Sequence, residues 1–351
     1  MKKIFTIIGA RPQFIKASVV SRAISQSGRI EEVLLHTGQH FDSNMSDVFF
    51  NQLGIPRPAI QLAISGGRHG EMTGRMLIEI ERELLRHRPE RVLVYGDTNS
   101  TLAGALAASK LNIPVAHIEA GLRSFNRLMP EELNRILTDQ VSDLLFCPTE
   151  AAVKNLHDEG FNNKSAKIFQ FGDVMQDAAL LFSKKAVAPS LEIPDQFIIA
   201  TLHRAENTDD PLRLSEIVAA LNTIHLELAP VVMPLHPRTK RLIAEQGLEL
   251  KVNLIEPVGY FEMIWLLGHC SLVLTDSGGL QKEAFFFEKA CVTMRDQTEW
   301  SELVVQGANE LVCANSLSIV AAAKRNFGRK VIDDYDLYGG GNASERIVSQ
   351  L

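Results

Sequence analysis

The chain has 351 residues, 46% of them hydrophobic and 22% charged, and carries a formal net charge of −6. At roughly 150 residues per domain this length predicts about two domains, each able to bury a core without staples. The charge excludes a broad nucleic-acid surface, four cysteines without a close pair (Cys147, Cys270, Cys291, Cys313) exclude a disulfide framework or zinc site, and no apolar run approaches the roughly 20 residues of a membrane span.

Met1-Lys2-Lys3 leads straight into an apolar strand too short for a signal-peptide core, which predicts a cytoplasmic protein. The first strands are expected at Ile4–Ile8, Val33–Leu35, Val92–Tyr95, Val115–Ile118 and Leu144–Cys147. Each ends in a glycine-bearing or polar turn and is followed by a helical stretch. Apolar runs alternating with helices predict βαβ units on a parallel sheet covered on both faces. A Lys/Ala/Pro-rich stretch near 184–196 reads as a connection between domains. A second series then begins: Phe197–Leu202, Val231–Leu235, Val252–Ile255, Leu272–Thr275, Cys291–Met294 and Leu311–Cys313. The expected architecture is α/β, with two Rossmann-like doubly wound domains and a cleft between them. The N-terminal domain covers 1–180 and is joined by a C-terminal helix at 342–351; the second domain covers 181–341. Ligands of such sheets bind beyond the carboxyl ends of the strands, where every polar turn lies.

The turn Gly9-Ala10-Arg11-Pro12 opens a helix, with Lys16 five residues after Arg11. Both cations suit a phosphate over a helix N-terminus, and equally suit plain solvation beside a cap. Asp97 in Gly96-Asp97-Thr98-Asn99-Ser100-Thr101 reads as a helix cap or as an acid. The balance shifts with Glu119 at the next strand end and Glu131-Glu132 in a following first turn, near Arg123 and Arg135. Three acids on one rim among arginines suggest proton transfer beside a charged ligand. In the second half, His203 ends an apolar strand, as a buried hydrogen-bonded group, as a donor to phosphate or as a general acid. Asp276-Ser277-Gly278-Gly279 joins a strand end to a helix start and forms an anion seat from a hydroxyl and backbone N–H groups. Glu283, further into that helix, suits the two hydroxyls of a ribose. Neither a P-loop nor a G-x-G-x-x-G fingerprint is present, so neither ATP hydrolysis nor NAD is implied.

Six motifs in order carry a family resemblance. They are Gly9-Ala10-Arg11-Pro12, Gly96 to Thr101, His117-Ile118-Glu119-Ala120-Gly121-Leu122-Arg123, Pro130 to Arg135, His203-Arg204-Ala205-Glu206-Asn207 and Asp276 to Gly279. From end to end the chain resembles the non-hydrolysing UDP-N-acetylglucosamine 2-epimerases. The resemblance implies a glycosyltransferase-B-like fold, a cytoplasmic homodimer, no cofactor or metal, and a UDP-sugar as the bound partner. It carries over Asp97, Glu119, Glu131 and His203 as catalytic. Arg11, Lys16, Ser277, Gly278 and Gly279 would hold the departing diphosphate with His203. Glu283 would hold the ribose, and Arg135 would position a carboxylate or the substrate.

Two segments point to a subgroup. Trp300 in Thr298-Glu299-Trp300 stands where the common enzymes have arginine, and Thr37-Gly38-Gln39-His40-Phe41-Asp42 through Met45-Ser46 differs from their allosteric segment. Both look like the UDP-2,3-diacetamido-2,3-dideoxy-glucuronate 2-epimerases of O-antigen and lipopolysaccharide synthesis. The alternatives are a UDP-N-acetylglucosamine 2-epimerase and, more distantly, a glycosyltransferase of the same architecture.

Overall fold

Short β-branched runs become the inner strands of two parallel sheets, one in each of two compact units. The structure is a computed structural model and describes residues 1–39, 53–333 and 336–351, apart from the Arg11 side chain. The subgroup feature at His40 to Ser46 therefore lies outside the described residues. One unit comprises Met1–Ala178 with Asp336–Leu351, the other Ala179–Tyr335. The chain leaves the first unit within the helix Val174–Ser183, ahead of the Lys/Ala/Pro-rich stretch.

The first sheet contains β1 (Lys2–Ile8), β2 (Ile30–His36), β3 (Ile60–Gln61), β4 (Arg91–Tyr95), β5 (Val115–Ile118), β6 (Leu144–Cys147) and β7 (Lys167–Gln170), in spatial order β3-β2-β1-β4-β5-β6-β7. All its pairings are parallel. Val92, Leu93, Val94 and Tyr95 are fully buried, as expected for a strand covered on both faces. Edge strands β3 and β7 escape sequence reading. The first is two residues long, and none of Lys167-Ile168-Phe169-Gln170 is fully buried. The C-terminal helix Ala343–Gln350 returns to this unit: Asp177 accepts from the Ala343 and Ser344 N–H groups at 3.1 and 2.7 Å.

The second sheet contains β8 (Ile198–Thr201), β9 (Val231–Pro234), β10 (Asn253–Ile255), β11 (Leu272–Thr275), β12 (Cys291–Thr293) and β13 (Asn309–Leu311), in order β10-β9-β8-β11-β12-β13. The last strand ends where sequence reading would begin it, at Leu311. In each unit the strand order reverses beside the first strand, between β1 and β4 and between β8 and β11. Such switch points open a crevice beyond the strand ends. The turns after these four strands carry Arg11, Asp97, His203 and Ser277.

Burial also shapes acid sensitivity. His36 ends β2 with its side chain 1% exposed and its ring 5.1 Å from that of Phe14. Burial pushes its pKa from the ordinary 6.5 down to about 4. Between those values the unfolded chain binds a proton that the folded chain refuses, so stability is retained above 6.5 and lost as pH falls toward 4. The Tm gap between the wild type and His36→Gln should therefore change across this window. A gap that stays constant from neutral pH to below 4 would contradict the assignment.

Candidate active site

In the first unit, the β1 turn is built by close approach. A Cβ on Gly9 would lie 2.1 Å from Ser100 Oγ and 2.2 Å from Thr37 Oγ1, so only glycine fits. Gln13 takes the Gly9 and Ala10 N–H groups at 2.7 and 3.0 Å. These donors are thus used internally and not offered to an anion. The Gln13 amide also donates to the Tyr95 carbonyl at 2.8 Å, tying the β1 turn to the end of β4 across the switch point. Gln at the third helical position is a capping signature, and that signal could have marked Gln13.

Parallel pairing of β4 with β5 matches Tyr95 to Ile118, which sets Asp97 and Glu119 beyond neighbouring strand ends. Asp97 is ion-paired with Arg135 and Glu119 with Lys16. Lys16 is 8% exposed, so the cation expected at the phosphate is held against an acid. Glu119 adopts φ 72°, a left-handed conformation that disfavours any side chain and marks a conformationally constrained site. The third acid sits differently. Glu131 is exposed in the first turn of the helix Pro130–Val141 and shares a helix face with Asn134 and Arg135, three and four residues on. Those two residues address the Asp97 turn, Asn134 by donating to the Asp97 carbonyl at 2.9 Å.

The neighbouring Glu132 is 1% exposed and accepts from Ser124 N–H, Phe125 N–H and Arg135 at 2.8–2.9 Å. It shapes the 124–125 loop and is poorly placed to carry protons. Arg123, expected beside the ligand, is buried instead, bonded to Asp139 at 2.8 Å and to Glu159 at 2.6 and 2.7 Å. Asp139 also pairs with His117. Sequence reading assigns no role to either member of that pair.

In the second unit, the β8 and β11 turns meet through Asp276, a residue whose role sequence reading missed. Its buried carboxylate accepts from the His203 and Arg204 N–H groups at 3.1 and 2.9 Å, and stands 3.2 Å from His203 Nδ1. Burial opposes its charge, but these hydrogen bonds outweigh burial and hold Asp276 below the usual carboxylate range. Half of the His203 side chain remains exposed, so the ring is oriented from behind and open in front. The helix Gly278–Phe286 starts at Ser277, whose hydroxyl makes no capping bond. That leaves the hydroxyl and the first helical N–H groups for a ligand.

Gly278 has its own steric reason, since a Cβ there would lie 2.1 Å from Glu299 Oε1. Arg295 holds Glu299 at 3.0 Å. Trp300 is 5% exposed, and its indole N–H donates to the Gly278 carbonyl at 2.9 Å. The Lys282 ammonium lies 4.0 Å from its ring centroid. The tryptophan thus braces the glycine pair and stacks a cation beside it. Glu283 is half-buried, and Tyr260 lies near it. Burial first, and the Glu283 charge second, push the Tyr260 pKa well up. Among the described residues, the buried Tyr260 hydroxyl has no hydrogen-bond partner.

A family model described as UDP-N-acetylglucosamine 2-epimerase matches residues 22–351. The chain belongs to that family. Among 2-epimerase relatives, the UDP-2,3-diacetamido-2,3-dideoxy-D-glucuronate 2-epimerase of Pseudomonas aeruginosa is 66% identical over 350 residues, covering 99% of each chain. A crystal structure of the Methanocaldococcus jannaschii UDP-GlcNAc 2-epimerase in complex with UDP-GlcNAc and UDP is 44% identical, with a TM-score of 0.86 and 99% coverage of both chains. The calicheamicin glycosyltransferase CalG4, 14% identical with a TM-score of 0.51, shares the fold alone. As a 2-epimerase family member the protein is an isomerase of the α/β class. Among the described residues, no helix is long and apolar enough to cross a membrane.

Proposed function

We propose that the protein interconverts the C2 epimers of a UDP-linked 2-acetamido sugar by eliminating UDP and adding it back, with UDP-2,3-diacetamido-2,3-dideoxy-glucuronate as its preferred substrate. The reading rests on one observation: two acids stand beyond neighbouring strand ends, each held by a cation, Asp97 by Arg135 and Glu119 by Lys16. The choice of sugar is supported by the 66% identity with the Pseudomonas aeruginosa enzyme.

The C2 hydrogen of a pyranose is not beside a carbonyl, so its direct removal is very difficult. Departure of the anomeric diphosphate changes this. As the C1–O bond breaks, its electron pair leaves with UDP and positive charge grows at C1. The C2–H bond becomes acidic, its proton passes to a carboxylate, and a C1=C2 double bond forms. Reversal adds a proton to the opposite face of C2 and the UDP oxygen to C1. No oxidant is needed, because the electron pair that left with UDP returns with its oxygen and the C2–H pair, held in the double bond, takes up the new proton.

Asp97, Glu119 and Glu131 are the acids assigned to this exchange. Ser277, the Gly278-Gly279 N–H groups and His203 receive the diphosphate in the second unit, while Lys16 in the first unit stays on Glu119. Fixed donors aimed at growing charge supply the electrostatic part of catalysis, often its largest part. Glu283 holds the ribose, with Tyr260 near it. The protein works as a cytoplasmic homodimer in lipopolysaccharide and O-antigen synthesis. Leu133 and Leu137, exposed one turn apart on the helix Pro130–Val141, offer an apolar stripe to a second copy.

Turnover in D2O followed by proton NMR tests the chemistry. The product should carry deuterium at C2, and an inverted product with its original hydrogen overturns elimination. The diacetamido uronate should also show a higher kcat/KM than UDP-N-acetylglucosamine. Equal values overturn the substrate choice and leave the epimerase chemistry standing.

A further inference from the structure

Beneath the two paired acids lies a buried network that the chemistry above does not use. The His117 side chain in β5 is fully buried. Its Nε2 is 2.7 Å from the Gly96 carbonyl and its Nδ1 is 2.7 Å from Asp139 Oδ1. The other Asp139 oxygen accepts from the Gly121 N–H at 3.1 Å and from Arg123 at 2.8 Å. Gly96 immediately precedes Asp97, and Gly121 follows Glu119 by two residues. One imidazole–carboxylate pair therefore grips the main chain on both acid-bearing turns. The grip has a physical purpose, because the φ of 72° at Glu119 persists only where its surroundings over-determine it.

The partners also dictate what the ring must do. A carbonyl is an acceptor only, and so is an ionised carboxylate, so both ring nitrogens donate. The Arg123 charge beside the ring is matched by Asp139 and Glu159. Deep in a protein such a matched set is tolerable, whereas a lone charge is not.

We infer that His117 is a positioning residue for the epimerisation, fixing Asp97 and Glu119 relative to each other through its two donated bonds to the Gly96 carbonyl and Asp139. The inference rests on the epimerase reading and deepens it. His117 touches no substrate. It acts by holding the backbone that carries the acids, where a misplacement of about 1 Å costs about 10²-fold in rate.

Two substitutions separate positioning from bulk stability. His117→Asn keeps an amide near the Nδ1 position and loses the bond to Gly96, whereas His117→Gln places an amide N–H near the Nε2 position. His117→Asn should lower kcat and C2 deuterium exchange together by about 30–100-fold, with KM and UDP affinity held within about twofold. His117→Gln should recover at least about tenfold of that loss. Full kcat in His117→Asn, an equal loss in both variants, or a parallel loss of UDP affinity would each overturn the inference. Nitrogen-15 NMR of the wild-type imidazole keeps the test decisive if the variants fail to fold. Two protonated ring nitrogens are expected, and one protonated nitrogen overturns the proposed bonding. Wild-type exchange in D2O reports on the epimerase reading separately, so failure of either idea is visible by itself.

Discussion

Asp97→Asn is expected to lower kcat by at least about 10²-fold while the protein stays folded, as for loss of a proton-transferring group. The substitution is nearly isosteric, and the contacts that hold the turn survive it. Asn134 donates to the Asp97 main-chain carbonyl, which the change leaves untouched. Arg135 loses one carboxylate but keeps Glu132 at 2.8 Å. What disappears is the capacity to exchange a proton with C2. Circular dichroism should match the wild type, and deuterium exchange at C2 should fall together with kcat. Glu131→Gln should behave in the same way, because its exposed carboxylate has little to hold together. Near-native rates in both variants would remove these acids from the mechanism.

Asp139→Leu should act on stability in addition to loosening the two acid-bearing turns. The side chains of Asp139, His117 and Arg123 are 0%, 0% and 1% exposed, so deleting the carboxylate leaves buried donors facing a methyl group. Breaking one side of a buried charged pair costs about 3–5 kcal/mol. For a unit of this size that lowers Tm by roughly 6–20 °C. Asp158→Ala provides the contrast. Asp158 and Lys154 are 62% and 72% exposed, and solvent screens such a pair, so its removal should change stability by less than about 0.5 kcal/mol. Thermal denaturation of both variants checks the pair of expectations. Comparable melting temperatures would mean that the buried network carries no net stabilisation.

Legibility from sequence followed the range of the interaction involved. Strands buried on both faces, such as Leu144–Cys147 and the Val92-Leu93-Val94-Tyr95 stretch of β4, appear as unbroken apolar runs, because the local pattern is the burial pattern. The edge strand Lys167–Gln170 was invisible for the converse reason, since its residues are exposed or only partly buried. The six motifs were equally legible, because each is a few contiguous residues, five of them at strand ends and Pro130 to Arg135 at a helix start.

The amino-acid sequence by itself determined the doubly wound class, the positions of the acid and glycine turns, and the family. Only the tertiary structure decided which charge meets which. Lys16 and Glu119 are 103 residues apart, as His203 and Asp276 are 73 apart, and sheet order alone brings them within bonding range. Ion pairs form wherever the folded chain presents opposite charges, and no local spacing encodes that choice. For this reason Arg123, legible as a cation near the acids, is a buried strut between Asp139 and Glu159, and the His117–Asp139 pair appears only in the tertiary structure.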